Sequence, residues 1–238
     1  MTTTTTTGFA GFPREGFEFL AELATDNTRA FFDAHRATYE AALLQPAKDF
    51  VTALGEELRA RVAPAIRAEP RVNGSILRIN RDTRFAADKR PYKDHVDLWF
   101  WEGDAPSRER PGLSVRLRPA TVVLSAGIHR LEPAALSAFR AAVADDRTGE
   151  TLDSAIEDAL TLRGVKLGGL AYKRVPRGFE ADHPRAELLR HGAFYVSGEW
   201  KLPRTVSGAG FVGWVADRLE QMAPVERWLT RTLPWETF

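Results

Sequence analysis

Between residues 78 and 93 the chain reads RINRDTRFAADKRPYK. Six cationic side chains, Arg78, Arg81, Arg84, Lys89, Arg90 and Lys93, stand there against two acids, Asp82 and Asp88. The whole chain carries 33 basic and 32 acidic residues, so the positive charge is local rather than global. Arginine offers a planar fork that matches carboxylate or phosphate oxygens two at a time, and lysine offers a movable point charge. Crowding like charges is costly without a counter-anion. Asp82 and Asp88 supply part of the compensation and a bound anion could supply the rest. The competing account is an internal network, Asp82 with Arg84 or Arg78 and Asp88 with Lys89, that pins the loop. Both accounts stand at this point.

Candidate proton carriers lie in and beside the same stretch. His95 follows it and shares a strand face with Asp97, and nearby positive charge would favour the neutral imidazole that a general base needs. It could equally be a strand-end histidine bonded to backbone. Asp82 and Asp88 are further carriers, and the Tyr92 hydroxyl could orient a ligand or give up a proton. Phe85 could stack on a ligand ring, but an aromatic in such a loop more commonly anchors it in the core. A second basic segment, KRVPRGFEADHP over 173–184, carries Lys173, Arg174 and Arg177. With Gly178 allowing close backbone approach, it could close on the first loop. Its plainer account is a turn before a short helix.

Other chemistries lack their signatures. None of His35, His95, His129, His183 and His191 falls in a HExxH or similar short spacing, so no zinc site is expected. GxxxxGK[ST] and GxSxG are absent, and no dinucleotide fingerprint is expected. No cofactor is specified. With no cysteine there can be no disulfide or thiolate nucleophile, which suits a reducing cytosol. A net charge of +1 argues against general coating of nucleic acid. The opening MTTTTTT has neither the basic nor the apolar region of a secretory signal, and no apolar run approaches bilayer length. The expectation is a soluble cytoplasmic protein with a disordered polar tail over 1–8 and a single domain over 9–238.

The elements that must position the basic stretch follow from period. Phe17, Leu20 and Ala24 predict a helix over 13–25. Asp26 or Asn27 should cap a second that carries Phe32, His35, Tyr39 and Leu43, and a third after Pro46 carries Phe50, Leu54, Leu58 and Val62. Alternation then takes over. SILRIN (75–80), HVDLWFW (95–101), LSVRLR (113–118) and TVVLSAG (121–127) read as strands, with a loop over GDAPSRERPG. Helices return at 133–145 and 149–162, glycines 164, 168 and 169 break the pattern, and a short helix ends near Arg190. A strand over 193–200 and a helix from about 208 complete the chain. So close a run of strands favours antiparallel pairing. The fold class is α+β, a mostly antiparallel sheet with helices packed mainly on one face.

The block Arg81-Asp82, Arg84-Phe85, Asp88-Lys89, Pro91-Tyr92-Lys93 resembles an RDxRFxxDKxPYK hallmark. It belongs to a family of conserved hypothetical proteins of bacteria and fungi, a domain of unknown function. Phe9, Gly11, Phe12 and Phe19-Leu20 resemble the family's Phe-rich opening. Asn27, Phe32 and Tyr39 resemble its following helix, and Pro176-Arg177-Gly178-Phe179 with Asp182-His183-Pro184 a late PxGF-like segment. Two features depart from it, Ser125-Ala126-Gly127-Ile128-His129 where a glycine-rich turn and an aromatic are usual, and Thr28 where a second Asn is common. The resemblance implies a single α+β domain and brings no activity. The residues support a binding protein, or an enzyme of unspecified reaction, that holds a small phosphate ester, nucleotide or carboxylate on the basic loop. The alternatives are a module that docks protein or RNA there and a purely structural network.

Overall fold

The apolar period of the opening residues closes into α1 (Arg14–Thr25), which buries Phe17, Phe19, Leu20 and Leu23. The computed structural model describes residues 8–104 and 109–235. Apart from Gly8, the tail expected over 1–8 lies outside them, as does the centre of the 103–112 loop. α2 (Arg29–Ala34) is capped by Thr28, whose hydroxyl accepts from Phe31 N at 3.2 Å, not by Asp26 or Asn27. Asn27 spends its amide elsewhere. α3 (Arg36–Tyr39) runs through a π turn, Glu40–Leu44, into α4 (Gln45–Arg61). The wide turn sits where Pro46 has no N–H to give to a carbonyl one turn back.

The chain is α+β. Strands β1 (Val96–Trp101), β2 (Gly112–Leu117), β3 (Thr121–Ile128), β4 (Val165–Leu170) and β5 (His191–Lys201) form an antiparallel sheet in the order β1-β2-β3-β5-β4. The remaining helices are α5 (Pro133–Ala144), α6 (Asp146–Leu160) and α7 (Gly210–Thr232). Residues gather into two units. The first holds Met1–Phe100, Ser114–Val123 and Glu199–Asp217, and the second holds Trp101–Leu113, Leu124–Gly198 and Arg218–Phe238. Among the described residues no helix is long and apolar enough to cross a membrane.

In the first unit Phe12, Phe50 and Phe211, all fully buried, meet with ring centroids 5.5 Å (Phe12 to Phe50) and 5.3 Å (Phe50 to Phe211) apart. Gly11 (φ +115°) brings the chain to this cluster, and a Cβ there would collide with the backbone of Ser207.

In the second unit Phe139 of α5 packs on Phe194 of β5 at 4.9 Å and edge-on to Trp228 at 6.1 Å. The indole of Trp228 donates to Thr148 O at 2.8 Å. β4 is a strand that alternation alone does not reveal. Gly168 lies under the ring of Tyr195, and Gly169 (φ +100°) takes the irregular step where the register with β5 shifts between Gly168 and Leu170. Two side chains that would mark the strand are missing because the neighbouring strand leaves them no room.

The second unit also buries Glu226, whose Oε1 accepts from Thr230 Oγ1 at 2.7 Å and whose Oε2 has no partner among the described residues. Burial pushes the carboxyl up to about 7, against the Thr230 hydrogen bond and with help from Glu102. The unfolded chain ionises this group near pH 4 while the fold keeps it protonated, so stability falls as pH rises from about 4 to about 7. Glu226→Gln should therefore unfold with up to about 3 kcal/mol more free energy than wild type at pH 8, and with little difference at pH 4. Urea titrations at the two pH values check this, and a pH-independent difference would refute it.

Candidate functional site

Ser75–Leu77 runs beside β1. Leu77 N donates to Asp97 O at 2.9 Å and Trp99 N to Ser75 O at 2.8 Å, with isolated bridges at Ile76/Leu98 and Asn80/Tyr92. The regular strand expected over 75–80 does not form. Ile76 and Ile79 are both buried, a spacing of three that a pleated strand cannot give to one face. The basic stretch is instead a loop whose two arms are tied at the base. Arg81 N donates to Pro91 O and Lys93 N to Ile79 O, each at 2.8 Å.

Asn27, just past α1, holds the returning arm. Its Oδ1 accepts from Tyr92 N at 3.0 Å, and its Nδ2 donates to Leu23 O at 3.0 Å and Tyr92 O at 3.2 Å. The Tyr92 ring is buried and stacked on Phe32 at 4.3 Å. This tyrosine is a fixed pin at the loop's foot. Phe85 behaves in the opposite way from the expected anchor and is 95% exposed. Asn27 and Tyr92 already secure the loop, so no further aromatic has to enter the core.

The two aspartates repeat one local arrangement. Asp82 Oδ1 accepts from Arg84 N (3.2 Å) and Nε (3.0 Å), and its Oδ2 from Arg84 Nη2 (2.7 Å). Asp88 accepts from Arg90 N (3.0 Å) and Nε (2.9 Å), and Arg81 Nη1 reaches its Oδ2 at 2.7 Å. In each case an Asp binds the backbone and the guanidinium two residues ahead. The hydrogen bond from Arg84 holds the Asp82 carboxyl far below the ordinary range, and those from Arg90 and Arg81 do the same for Asp88. A general base works best with a pKa near the operating pH, and neither carboxylate is close to it. Lys89 Nζ donates to Thr83 O at 3.0 Å. Arg78 makes no hydrogen bond or ion pair among the described residues, and its charge acts on Asp82 through space.

Lys93 and His95 converge on Asp97, a charged side chain buried in β1. Lys93 Nζ lies 2.9 Å from Oδ2, Arg116 Nε of β2 lies 2.6 Å from Oδ1, and His95 Nε2 lies 3.4 Å from Oδ2. The other imidazole nitrogen, Nδ1, is 2.8 Å from Asp94 Oδ1. His95 is thus bracketed by two carboxylates. Burial works to raise the Asp97 carboxyl, but the His95 hydrogen bond and the charges of Lys93 and Arg116 outweigh it and hold the group well below the usual range. Arg116 was not among the sequence-derived candidates. Its signal was indirect, since an Asp inside an otherwise apolar strand must find a cation on a neighbouring one.

Lys173 and Arg177 lie in the second unit, both exposed and, among the described residues, without a hydrogen-bond partner. Arg177 lines a cavity of that unit. A GxGxxG spacing, against expectation, occurs once, Gly208-Ala209-Gly210-Phe211-Val212-Gly213, where α7 begins. It lacks the context a dinucleotide needs. The sheet is antiparallel, and a 3₁₀ turn, Arg204–Ser207, separates the glycines from β5. Among the described residues no cluster of three or more His, Asp or Glu could hold a metal.

The sequence profile of the conserved hypothetical protein family DUF2461 matches residues 15–228. The chain belongs to that family. The DUF2461 match takes in all of α1 but Arg14, the basic loop, all five strands and most of α7. Comparison with curated proteins finds no match.

Asp97→Asn leaves Lys93 and Arg116 without their carboxylate and should lower the unfolding free energy at pH 7 by up to about 3 kcal/mol. The folded-state carboxyl titrates below its unfolded value of about 3.9, so wild type keeps this stabilisation above pH 4 and loses it as pH falls further. The deficit of the variant should therefore shrink between about pH 4 and pH 2. Urea unfolding across that range is the measurement, and a deficit that stays constant would count against the assignment.

Proposed function

We propose that the protein binds a small anionic ligand, a phosphate ester, nucleotide or carboxylate, on the outward side of the 78–93 loop. The observation that carries this reading is the charge left over after internal pairing. Asp82 is taken by Arg84, Asp88 is shared by Arg81 and Arg90, and Asp97 is shared by Lys93 and Arg116. Arg78 and Lys89 face no carboxylate within ion-pair distance among the described residues, and both are exposed. Phe85, in the same loop, has its ring in solvent, 6.0 Å from the Arg84 guanidinium, and can offer a flat face to a ligand ring. The depressed carboxyls of Asp82 and Asp88 favour recognition over proton transfer.

The exposure of Phe85 favours one further reading, in which the same loop docks on an acidic protein segment or RNA. Salt separates the two, since contact with a polyanion weakens steeply as counterions compete.

The test uses inorganic phosphate, a nucleoside monophosphate and citrate in thermal-shift and calorimetric titrations. A ligand at a hundred times its Kd stabilises the fold by about 2.7 kcal/mol. The Arg78→Ala/Lys89→Ala double variant removes two side chains that hold no carboxylate, so it should fold as wild type and bind about tenfold more weakly. Absence of any shift with all three anions, or unchanged affinity in the double variant, would remove the loop from this role.

A further inference from the structure

We infer that the second unit carries a separate small-molecule site, built on the first two turns of α5 and the segment after β4, for a ligand that joins an anionic group to a flat ring. A cavity of about 540 Å³ opens there, within the range of small-molecule sites, about 300 to 1,000 Å³. Three arginines line it, Arg130, Arg140 and Arg177, with one acidic residue, Glu132. Glu132 is spent on Arg130, whose Nε lies 2.8 Å away. Arg177 has no hydrogen bond or ion pair among the described residues. The cavity therefore keeps a positive excess that its own residues do not neutralise.

Helical spacing explains how one face serves it. Pro133, Leu136, Ser137 and Arg140 recur at i, i+3, i+4 and i+7 along α5, so a single stripe supplies an apolar wall, a hydroxyl and a cation. Pro133 opens the helix, and Glu132 makes no side-chain cap bond, so the positive end of the helix dipole also lies at the cavity.

The ring-binding element is already in place. The Arg140 guanidinium lies 4.8 Å from the centroid of the Tyr172 ring, while its Nε donates to Leu189 O at 3.2 Å. Tyr172 is fixed in turn by Arg190, which accepts from Tyr172 N at its carbonyl (3.0 Å) and donates from Nε to Tyr172 O (2.9 Å). A partly exposed tyrosine held at both backbone groups and backed by a cation is a preorganised stacking platform. Phe179 and Leu136 supply apolar surface across the same space. A bare phosphate would leave this surface unused, and an uncharged ring would leave the guanidinium groups unmatched. Aryl phosphates and nucleoside monophosphates have both parts. This site shares no residue with the 78–93 loop.

Calorimetry with phenyl phosphate, inorganic phosphate and phenol tests it. Phenyl phosphate should bind at least about tenfold more tightly than either fragment, because only it engages both surfaces. Arg177 is exposed and without partners, so Arg177→Glu should leave the circular dichroism and melting temperature unchanged and weaken phenyl phosphate by about tenfold or more. Tyr172→Ala should erase the preference of phenyl phosphate over inorganic phosphate. The component of phenyl phosphate binding that Arg177→Glu weakens should stay within about twofold in the Arg78→Ala/Lys89→Ala variant, which separates this site from the loop. The inference is overturned if phenyl phosphate binds no better than inorganic phosphate. It is equally overturned if Arg177→Glu binds as wild type, or if the loop variant alone abolishes binding.

Discussion

Asp97 sits in a strand whose every residue is buried, and a carboxylate there is sustainable only while cations reach it. Lys93 comes to it from the end of the basic loop, Arg116 from β2 and His95 from the residue pair that leads into β1. One buried charge therefore ties the loop's return arm, the first strand and the second strand together. The Asn27 clamp on the Tyr92 backbone and the Phe32–Tyr92 stack act one residue earlier and fix the same arm to the helical opening of the chain. Everything that the loop presents to solvent depends on this foot.

Above the foot the loop pairs its own charges at the shortest range available. Asp82 and Asp88 each turn the backbone and hold the arginine two residues ahead, so charge density in the sequence does not translate into an equal density of free charge. What survives is smaller and differently distributed. Arg78 and Lys89 lie outside the Asp-x-Arg pairs, and Arg84 and Arg90 keep donor edges toward solvent. A reading from composition alone can count the excess but cannot say which cations carry it, because that is decided by Asp side chains choosing between neighbours two and four residues away.

The elements that the sequence disclosed are those whose side chains report their own period. α1, α5 and α6 carry apolar residues three and four apart, and β1, β2 and β3 carry long apolar runs or clean alternation. β4 stayed hidden because Gly168 and Gly169 are demanded by Tyr195 and Ala193 on β5, a tertiary requirement that leaves no local trace. The strand expected over 75–80 failed for a related reason. Ile76 and Ile79 both go inward, and the irregular step this needs is invisible to an alternation test. The general burial of aromatics points to Phe85 as an anchor, yet Asn27 and Tyr92 do the anchoring, through a pairing that spans 65 residues. The cavity residues were legible only in part. Arg177 stood out for its segment, whereas Arg130, Arg140 and Tyr172 join it only once β4 and α5 bring 130–140 and 172–179 together.

Membership of a family fixes the fold and leaves function to the site. A proton carrier needs an accessible lone pair and an affinity for protons near the working pH. Asp82 and Asp88 have their oxygens turned to guanidinium groups that keep them ionised, Tyr92 is stacked in the core, and both nitrogens of His95 face carboxylates. The same groups that sequence alone would nominate for acid–base work are thus committed to holding the loop in shape. Outside those contacts, Arg78 and Lys89 face no carboxylate within ion-pair distance among the described residues and the ring of Phe85 stands in solvent, so what the loop turns outward is cationic and aromatic.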